Sequence, residues 1–391
     1  MRRLHVFLLC LITSLLPALP VAANDLPVPQ AAASALPIPK PPAIAARGYL
    51  LEDFHSGQTL AEANADQRLE PASITKVMSA YVIFKELAAG KIQLSDMVTI
   101  SERAWRTEGS RMFVEVGKQV SVEELLIGMI VQSGNDATVA LAEHIAGSEE
   151  AFAAYMNRYA QQLGMTGSHF MDASGLPHPE HYMTARDIAR MARAVIAEFP
   201  DYYTWYSQKE YTYNGIRQHN RNKLLWRDAS VDGMKTGHTR AAGYCLVSSA
   251  QRDGMRLISV ILGADGEESR ATATQALLNY GFRFFETHKL YEAGAKLVDA
   301  RVWGGEHESV PLGLAGPLIV TIPRGQYPHL KASVQLPLRI TAPVAAGATL
   351  GSVLVRLGDQ TLMEPPLQAL EPVAEGSLWR RAVDGVKAYF E

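Results

Sequence analysis

The chain has 391 residues, of which 48% are apolar and 20% charged, and carries a formal charge of -3. This is the composition of a soluble globular protein long enough for two domains and a sizeable core. With no basic stripe interleaved with aromatics, it excludes a polyanion-binding surface, so no nucleic-acid partner is expected.

Met1-Arg2-Arg3, an apolar run from Val6 to Leu16 and the small residues Val21-Ala22-Ala23 lay out a secretory signal peptide over 1–23. The run is too short to span a membrane, and the mature protein is expected to be exported. Cys10 would leave with it, and no small-residue cleavage box precedes its thiol, which argues against a lipoprotein. Cys245 is then the one remaining cysteine, without an intramolecular disulfide partner, and reads as a small buried side chain in a strand. Residues 24–45 are rich in Ala and Pro and read as an extended leader without a core of its own.

Order is expected from about Arg47. Tyr49 to Phe54, a turn at His55-Ser56-Gly57-Gln58 and Thr59 to Ala61 predict a β-hairpin. Pro71-Ala72-Ser73-Ile74-Thr75-Lys76 then leads into a helix-period run to Leu87. Ile74, Val77, Met78, Tyr81, Val82 and Leu87 supply a broad apolar face, and Gly90 closes the helix. Ser73 is thereby placed in the first turn, where the helix dipole and free N–H groups favour developing negative charge. Lys76, three residues on, shares its face. A neutral lysine in a desolvated, cation-rich pocket can take a serine's proton; a plain N-cap serine with a solvated lysine fits the same four residues.

Ser121-Val122-Glu123-Glu124 predicts a capping box opening a helix, and Asp136 to Ile145 resumes helical spacing. Between them Ser133-Gly134-Asn135 reads as a tight interhelical loop, for which these are ordinary turn residues. Phe170 to Glu180 is a Pro- and Gly-containing loop before a helix starting at Thr184. His178 and His181 have metal-like spacing, but no carboxylate or third ligand is expected to join them, so loop packing is expected and no metal. Asn214-Gly215 marks a turn. Lys235-Thr236-Gly237-His238 stands at the start of a strand-rich stretch, where Tyr244 to Ser249 and Met255 to Leu262 alternate around Arg252-Asp253-Gly254 as an antiparallel hairpin. A helix from about Arg270 to Glu286 completes an α+β pattern of helices on an antiparallel sheet. After His288, short β-rich pieces separated by Gly and Pro predict a small all-β region. The tail from Leu378 to Glu391 places Leu378, Trp379, Ala382, Val383, Val386, Tyr389 and Phe390 on one arc, opposite Arg380, Arg381, Asp384 and Lys387. Such a helix suits a membrane interface, or docks on its own protein.

Ser73-x-x-Lys76, Ser133-Gly134-Asn135 and Lys235-Thr236-Gly237 stand in the order found in penicillin-binding proteins and class A β-lactamases. With Glu70-Pro71-Ala72-Ser73, Val231 to Thr239 and Ala242-Gly243-Tyr244, the chain from about Ala46 to its tail resembles the low-molecular-mass penicillin-binding proteins, serine D-alanyl-D-alanine carboxypeptidases. The resemblance implies a penicillin-recognising, β-lactamase-like catalytic domain over 46–287, an all-β domain over 288–372 and an amphipathic membrane-anchoring helix over 376–391. It implies Ser73 as nucleophile, Lys76 as base and Ser133 as a proton relay bridging Lys76 and Lys235. Asn135, Lys235, Thr236, Gly237, His238, Arg221 and Arg270 would bind substrate, with the N–H groups of Ser73 and His238 as oxyanion hole, and no cofactor would be needed. Expected partners are the peptidoglycan stem pentapeptide, β-lactams as covalent inhibitors and the inner-membrane surface, on the periplasmic face, in a role in cell-wall synthesis and cell shape. Three other readings share these motifs: an endopeptidase, a class A-like β-lactamase and a non-catalytic penicillin-binding scaffold. The second is disfavoured because the residue three after Glu180 is Met183, where a deacylating Glu is generally followed by Asn.

Overall fold

The computed structural model describes residues 24–26 and 38–390; the expected signal peptide over 1–23 lies outside the described residues. Two compact units are present, one from residues 38–288 with 319–325, the other from 289–318 and 326–390 together with residues 24–26.

The first unit is built on a five-stranded antiparallel sheet. The strands are β1 (Gly48–Asp53), β2 (Thr59–Ala63), β3 (Val231–Thr239), β4 (Gly243–Arg252) and β5 (Met255–Ala264), in the spatial order β2-β1-β5-β4-β3. Both expected hairpins form. Side chains alternate across a strand, and on β5 both sets supply buried apolar residues. Leu257 and Ile261 join Leu277 and Leu278 in one core cluster, while Ile258, Val260 and Leu262 join a larger helical one. The sheet is therefore covered on both faces, one of them by the helix Glu267–Phe284.

The larger cluster surrounds α1 (Thr75–Ala88). The spacing predicts a helix with one broad apolar face; instead almost every α1 side chain is buried, Lys76, Ser79 and Glu86 included. Three helices, α2 (Asn135–Ala146), α3 (Glu149–Gln162) and α4 (Ala185–Glu198), enclose it. A helix buried all round must satisfy its own polar groups: Ser79 Oγ donates to Ala173 O at 2.6 Å, and Tyr159 Oη donates to Glu86. Phe84 is fully buried, stacked on Tyr202 at 4.8 Å between centroids, with Phe199 at 5.5 Å. Phe84→Ala is expected to cost about 3–5 kcal/mol through lost burial and a residual cavity. The check is the urea midpoint for loss of covalent penicillin labelling, which reports this unit alone.

Residues 319–325 belong to this unit through a polar cluster on fully buried Asp53. Its carboxylate accepts from Ser56 Oγ at 2.9 Å and Thr287 Oγ1 at 2.7 Å, and Thr321 Oγ1 lies 2.6 Å from Ser56 Oγ.

The second unit carries the expected all-β architecture. Its principal strands are Lys296–Trp303, Ser309–Gly313, Leu330–Gln335, Thr349–Leu357 and Pro366–Ala369, with Val302, Val310, Leu312, Val334, Val353, Val355 and Leu367 buried. Asn24–Leu26 pairs antiparallel with Ala332–Val334, so this piece of the expected leader is held as an edge strand. A terminal helix, Leu378–Phe390, follows. Asp384 accepts from Gly304 N at 2.8 Å, Arg380 Nη1 donates to Glu306 O at 2.9 Å and Arg381 pairs with Glu375. The helix thus meets its own unit through polar residues, while Leu378, Trp379 and Val386 remain 82%, 79% and 62% exposed.

Candidate active site

Ser73 lies in a 3-10 turn, Ala72–Ile74, that leads into α1 at Thr75, so the serine precedes the α-helix in whose first turn it was expected. Ala72, just before it, sits at φ +48°, a left-handed conformation that L-residues seldom adopt and that tends to mark functional sites. Two close approaches hold this turn. A Cβ on Gly175, itself at φ +84°, would come within 1.9 Å of Ala72 O; a Cβ on Gly237 would come within 2.5 Å of Pro71 O. Only glycine lets both backbones reach the Ala72–Ile74 turn, which explains the Gly of Lys235-Thr236-Gly237.

Lys76 Nζ lies 3.0 Å from Ser73 Oγ and donates to Ser174 O at 2.8 Å, with the residue 1% exposed. Burial pulls its pKa down to about 7; Asp172 opposes this, Arg221 adds to it, and Asp136 and Glu149 oppose it more weakly. An amine that is half neutral near pH 7, within hydrogen-bond reach of a hydroxyl, is a base matched to its task.

Lys235, Thr236, Gly237 and His238 run along the edge strand β3. Lys235 is buried, and its pKa is held well below the ordinary lysine value by burial, then by Lys76, Arg221 and Arg270. The neighbouring Lys76 thus helps to lower the pKa of Lys235, whereas that of Lys76 itself is lowered by burial and by Arg221. Its Nζ donates to Thr236 O at 3.1 Å. His238 stacks on Tyr244 at 4.0 Å between centroids, and its pKa is lowered by burial and by Arg270 and Arg221.

Ser133 ends a one-turn π-helix, Gly128–Gln132, at φ +66°. The irregular turn, absent from the sequence reading, redirects this hydroxyl into the site. The expected bridge from Ser133 to Lys76 and Lys235 is not formed. Ser133 Oγ is buried without a hydrogen-bond partner, while the Lys76 amine meets Ser73 and the Ser174 carbonyl and the Lys235 amine meets the Thr236 carbonyl. Asn135 is the first residue of α2, not part of the loop. Its Nδ2 donates to Glu108 O at 2.6 Å and its Oδ1 is buried and unpaired.

A cavity of about 200 Å³ gathers Ser73, Ser133, Thr236, Gly237, His238, Arg221 and Arg270, with Ser110, Tyr244 and Glu267. Arg221 is exposed at its rim. Arg270 is buried, donating to Gly237 O at 3.2 Å. Asn135, Lys76 and Lys235 stand behind this lining. A larger cavity, about 570 Å³, is lined by Arg252, Asn279 and Arg324 at the other end of β4 and holds none of the motif residues.

Ser110 carries no sequence signal. It is placed by fully buried Asp136, whose carboxylate accepts from the N–H groups of Met112 at 2.8 Å, Phe113 at 2.8 Å and Val114 at 3.2 Å, and by Asn135 N, which donates to Ser110 O at 2.7 Å. The histidine expectation needs one correction: a carboxylate does lie beside His181, since Asp172 Oδ2 is 3.3 Å from its Nδ1, brought there by the fold of the 170–181 loop. No metal-binding group forms among the described residues. Cys245 is fully buried, its thiol pushed up to about 11 by burial.

A family model for D-alanyl-D-alanine carboxypeptidase matches residues 36–266, and one for the C-terminal domain of penicillin-binding protein 5 matches residues 285–375. The chain is 46% identical over 357 residues to the D-alanyl-D-alanine carboxypeptidase DacC of Escherichia coli, 89% of each chain. It superposes on penicillin binding protein 5 from Haemophilus influenzae with a TM-score of 0.84 at 44% identity, covering 86% of this chain and 99% of that one. Penicillin-Binding Protein D2 from Listeria monocytogenes, in its ampicillin-bound form, superposes with a TM-score of 0.57 at 29% identity over 61% of this chain and 98% of that one. On both family models and on these relatives, this chain belongs to the serine D-alanyl-D-alanine carboxypeptidases.

Proposed function

We propose that the protein removes the terminal D-Ala from peptidoglycan stem pentapeptides through an acyl-enzyme on Ser73. The observation that carries this is the 3.0 Å separation of Lys76 Nζ and Ser73 Oγ in a buried, cation-rich site. Lys76 takes the Ser73 proton as Oγ attacks the carbonyl between the two D-alanines. The N–H groups of Ser73 and His238 receive the developing oxyanion. The peptide C–N bond breaks, and the leaving D-Ala nitrogen is protonated from Lys76 with Ser133 as relay, the unpaired Ser133 Oγ being free to turn to either lysine. Water then hydrolyses the ester, with Lys76 again as base.

The terminal carboxylate of the substrate meets Lys235 and Thr236, with Arg221 and Arg270 nearby. Its negative charge restores the proton to Lys235, which burial alone disfavours. Asn135 Oδ1 accepts the substrate amide N–H. A β-lactam presents a strained amide to the same serine and stays attached as an ester, in keeping with the ampicillin-bound Listeria relative. Glu180 is exposed and stands outside the cavity lining, which counts against its activating a water to release the β-lactam adduct.

The test is free D-Ala from a synthetic pentapeptide ending in D-Ala-D-Ala: one equivalent per peptide is expected, with slow loss of the penicilloyl adduct. Release only from cross-linked peptides would favour the endopeptidase, rapid release of penicilloate the β-lactamase, and binding without any release the scaffold.

The mature protein acts outside the cytoplasm, on the periplasmic face of the inner membrane, after loss of the signal peptide over 1–23. Attachment is peripheral, through the terminal helix. No helix among the described residues is long and apolar enough to cross a membrane, and the outward Leu378, Trp379 and Val386 beside Arg380, Arg381 and Lys387 support an interfacial helix. Ending the chain at Gly376 is expected to abolish co-sedimentation with anionic vesicles while leaving D-Ala release from soluble peptide unchanged; retained sedimentation would refute the anchor.

A further inference from the structure

Behind the nucleophile turn lies a side-chain cluster that the reaction steps above do not use. Asp172 Oδ1 accepts from three successive backbone groups, Ser174 N at 2.8 Å, Gly175 N at 2.6 Å and Leu176 N at 3.3 Å. It thereby closes a tight turn. The carbonyl at the crest of that turn, Ser174 O, is the one that receives Lys76 Nζ at 2.8 Å. The other carboxylate oxygen, Oδ2, lies 3.3 Å from His181 Nδ1, which is also 3.3 Å from Met171 N. His181 is 2% exposed, and its Nε2 lies 2.9 Å from Thr75 Oγ1, on the residue next to Lys76. The chain of contacts runs from Lys76 through Ser174, Asp172 and His181 to Thr75 and so returns to α1.

We infer that Asp172, His181 and Thr75 form a buried bracket that positions the catalytic lysine: it fixes the Ser174 carbonyl against Nζ and sets one negative charge beside the amine. All three are positioning residues, acting through Lys76. This rests on the reading of Lys76 as the base.

Two physical consequences follow from the geometry. A lysine has four rotatable side-chain bonds, and a fixed carbonyl acceptor on one side with Ser73 on the other leaves its amine a single place. The charge of Asp172 also bears on the proton. Burial pushes the Asp172 carboxyl up, but His181 and the N–H groups of Gly175 and Ser174 hold it down to about 2, so it is ionised throughout the working range. The groups facing Lys76 are Asp172, Asp136 and Glu149 on the negative side and Arg221 and Lys235 on the positive side, and Asp172 is the strongest of those that favour the ammonium. Without it, burial would leave the amine a weaker base. The bracket keeps the lysine titrating where it is both neutral often enough and basic enough to take a proton.

Two substitutions separate the charge from the contact. Asp172→Asn keeps an oxygen for the three N–H groups and removes the charge; Thr75→Val keeps the shape and removes the hydroxyl that meets His181. The rate of acylation of the full chain by a fluorescent penicillin is measured from about pH 5.5 to about pH 9.5, with thermal melting as a check on folding. The acid limb of the wild-type profile is expected near pH 7, and Asp172→Asn should move it down by about one pH unit. Thr75→Val should leave the limb in place and lower the plateau about five-fold. A limb that stays put in folded Asp172→Asn, or a Thr75→Val plateau equal to wild type, overturns the inference while leaving Lys76 as the base. A flat wild-type profile sinks the general-base reading itself. Should Asp172→Asn fail to fold, the Thr75→Val plateau decides.

Discussion

Ser73→Ala is expected to abolish both D-Ala release and covalent penicillin labelling, with turnover falling by at least about 10⁴-fold. Two other hydroxyls, Ser110 and Ser133, line the same cavity, so the size of the loss is a real test. Neither is a substitute. Ser133 Oγ makes no hydrogen bond to an amine, and the Lys76 amine points at Ser73 from 3.0 Å. The change removes one hydroxyl from the half-buried Ser73 and leaves its buried neighbours Ala72 and Ile74 in place, so the variant should fold and still bind penicillin reversibly. Mass spectrometry of the intact chain after incubation with penicillin reads the outcome. A residual adduct mapped to Ser110 or Ser133 would mean that the nucleophile has been misassigned.

Lys76→Arg should be nearly as damaging, costing about 10²- to 10⁴-fold in acylation rate, the usual contribution of a general base. Arginine keeps a cation and a hydrogen-bond donor in place but does not deprotonate at working pH, so the loss isolates the proton transfer from simple charge. The wild-type profile supplies the complementary sign. Activity needs the neutral amine; with the Lys76 pKa pulled down by burial to about 7, the acylation rate should fall as pH drops below that value and level off above it. Lysine at its ordinary value would instead give a rate still climbing toward pH 10. A stopped-flow series with a chromogenic β-lactam distinguishes the two shapes, and a wild-type rate that is independent of pH would remove Lys76 from the base's role.

Much of the local architecture could be read from the chain because its causes are local. The i, i+3 relation of Ser73 and Lys76, the capping box Ser121/Glu124 and the tight Arg252-Asp253-Gly254 turn each involve residues within a few positions of one another, and each appears in the structure. Extent was harder. Apolar spacing along α1 identified a helix but not its burial on every side, because the polar members Ser79 and Glu86 find partners on α3 and on the loop following it, far along the chain. The π-turn before Ser133 was invisible for a related reason: one extra residue in a turn leaves the apolar period almost unchanged, yet turns the next side chain into the site.

Composition, spacing and turn chemistry act over short stretches, and they are enough to mark the Ser73-to-Lys76 turn, the order of the three motifs, the α+β region followed by strands and the amphipathic tail. Which of those residues meet, and in what electrostatic state, depends on contacts between segments far apart in the chain. Lys76 acquires a pKa near 7 because a sheet edge, three helices and a loop exclude water from it. Asp172 and His181 acquire a bearing on Lys76 because the 170–181 loop folds back onto α1, beside a serine about a hundred residues earlier in the chain. Desolvation and long-range contact depend on everything packed around a group at once, and no short window of sequence contains them.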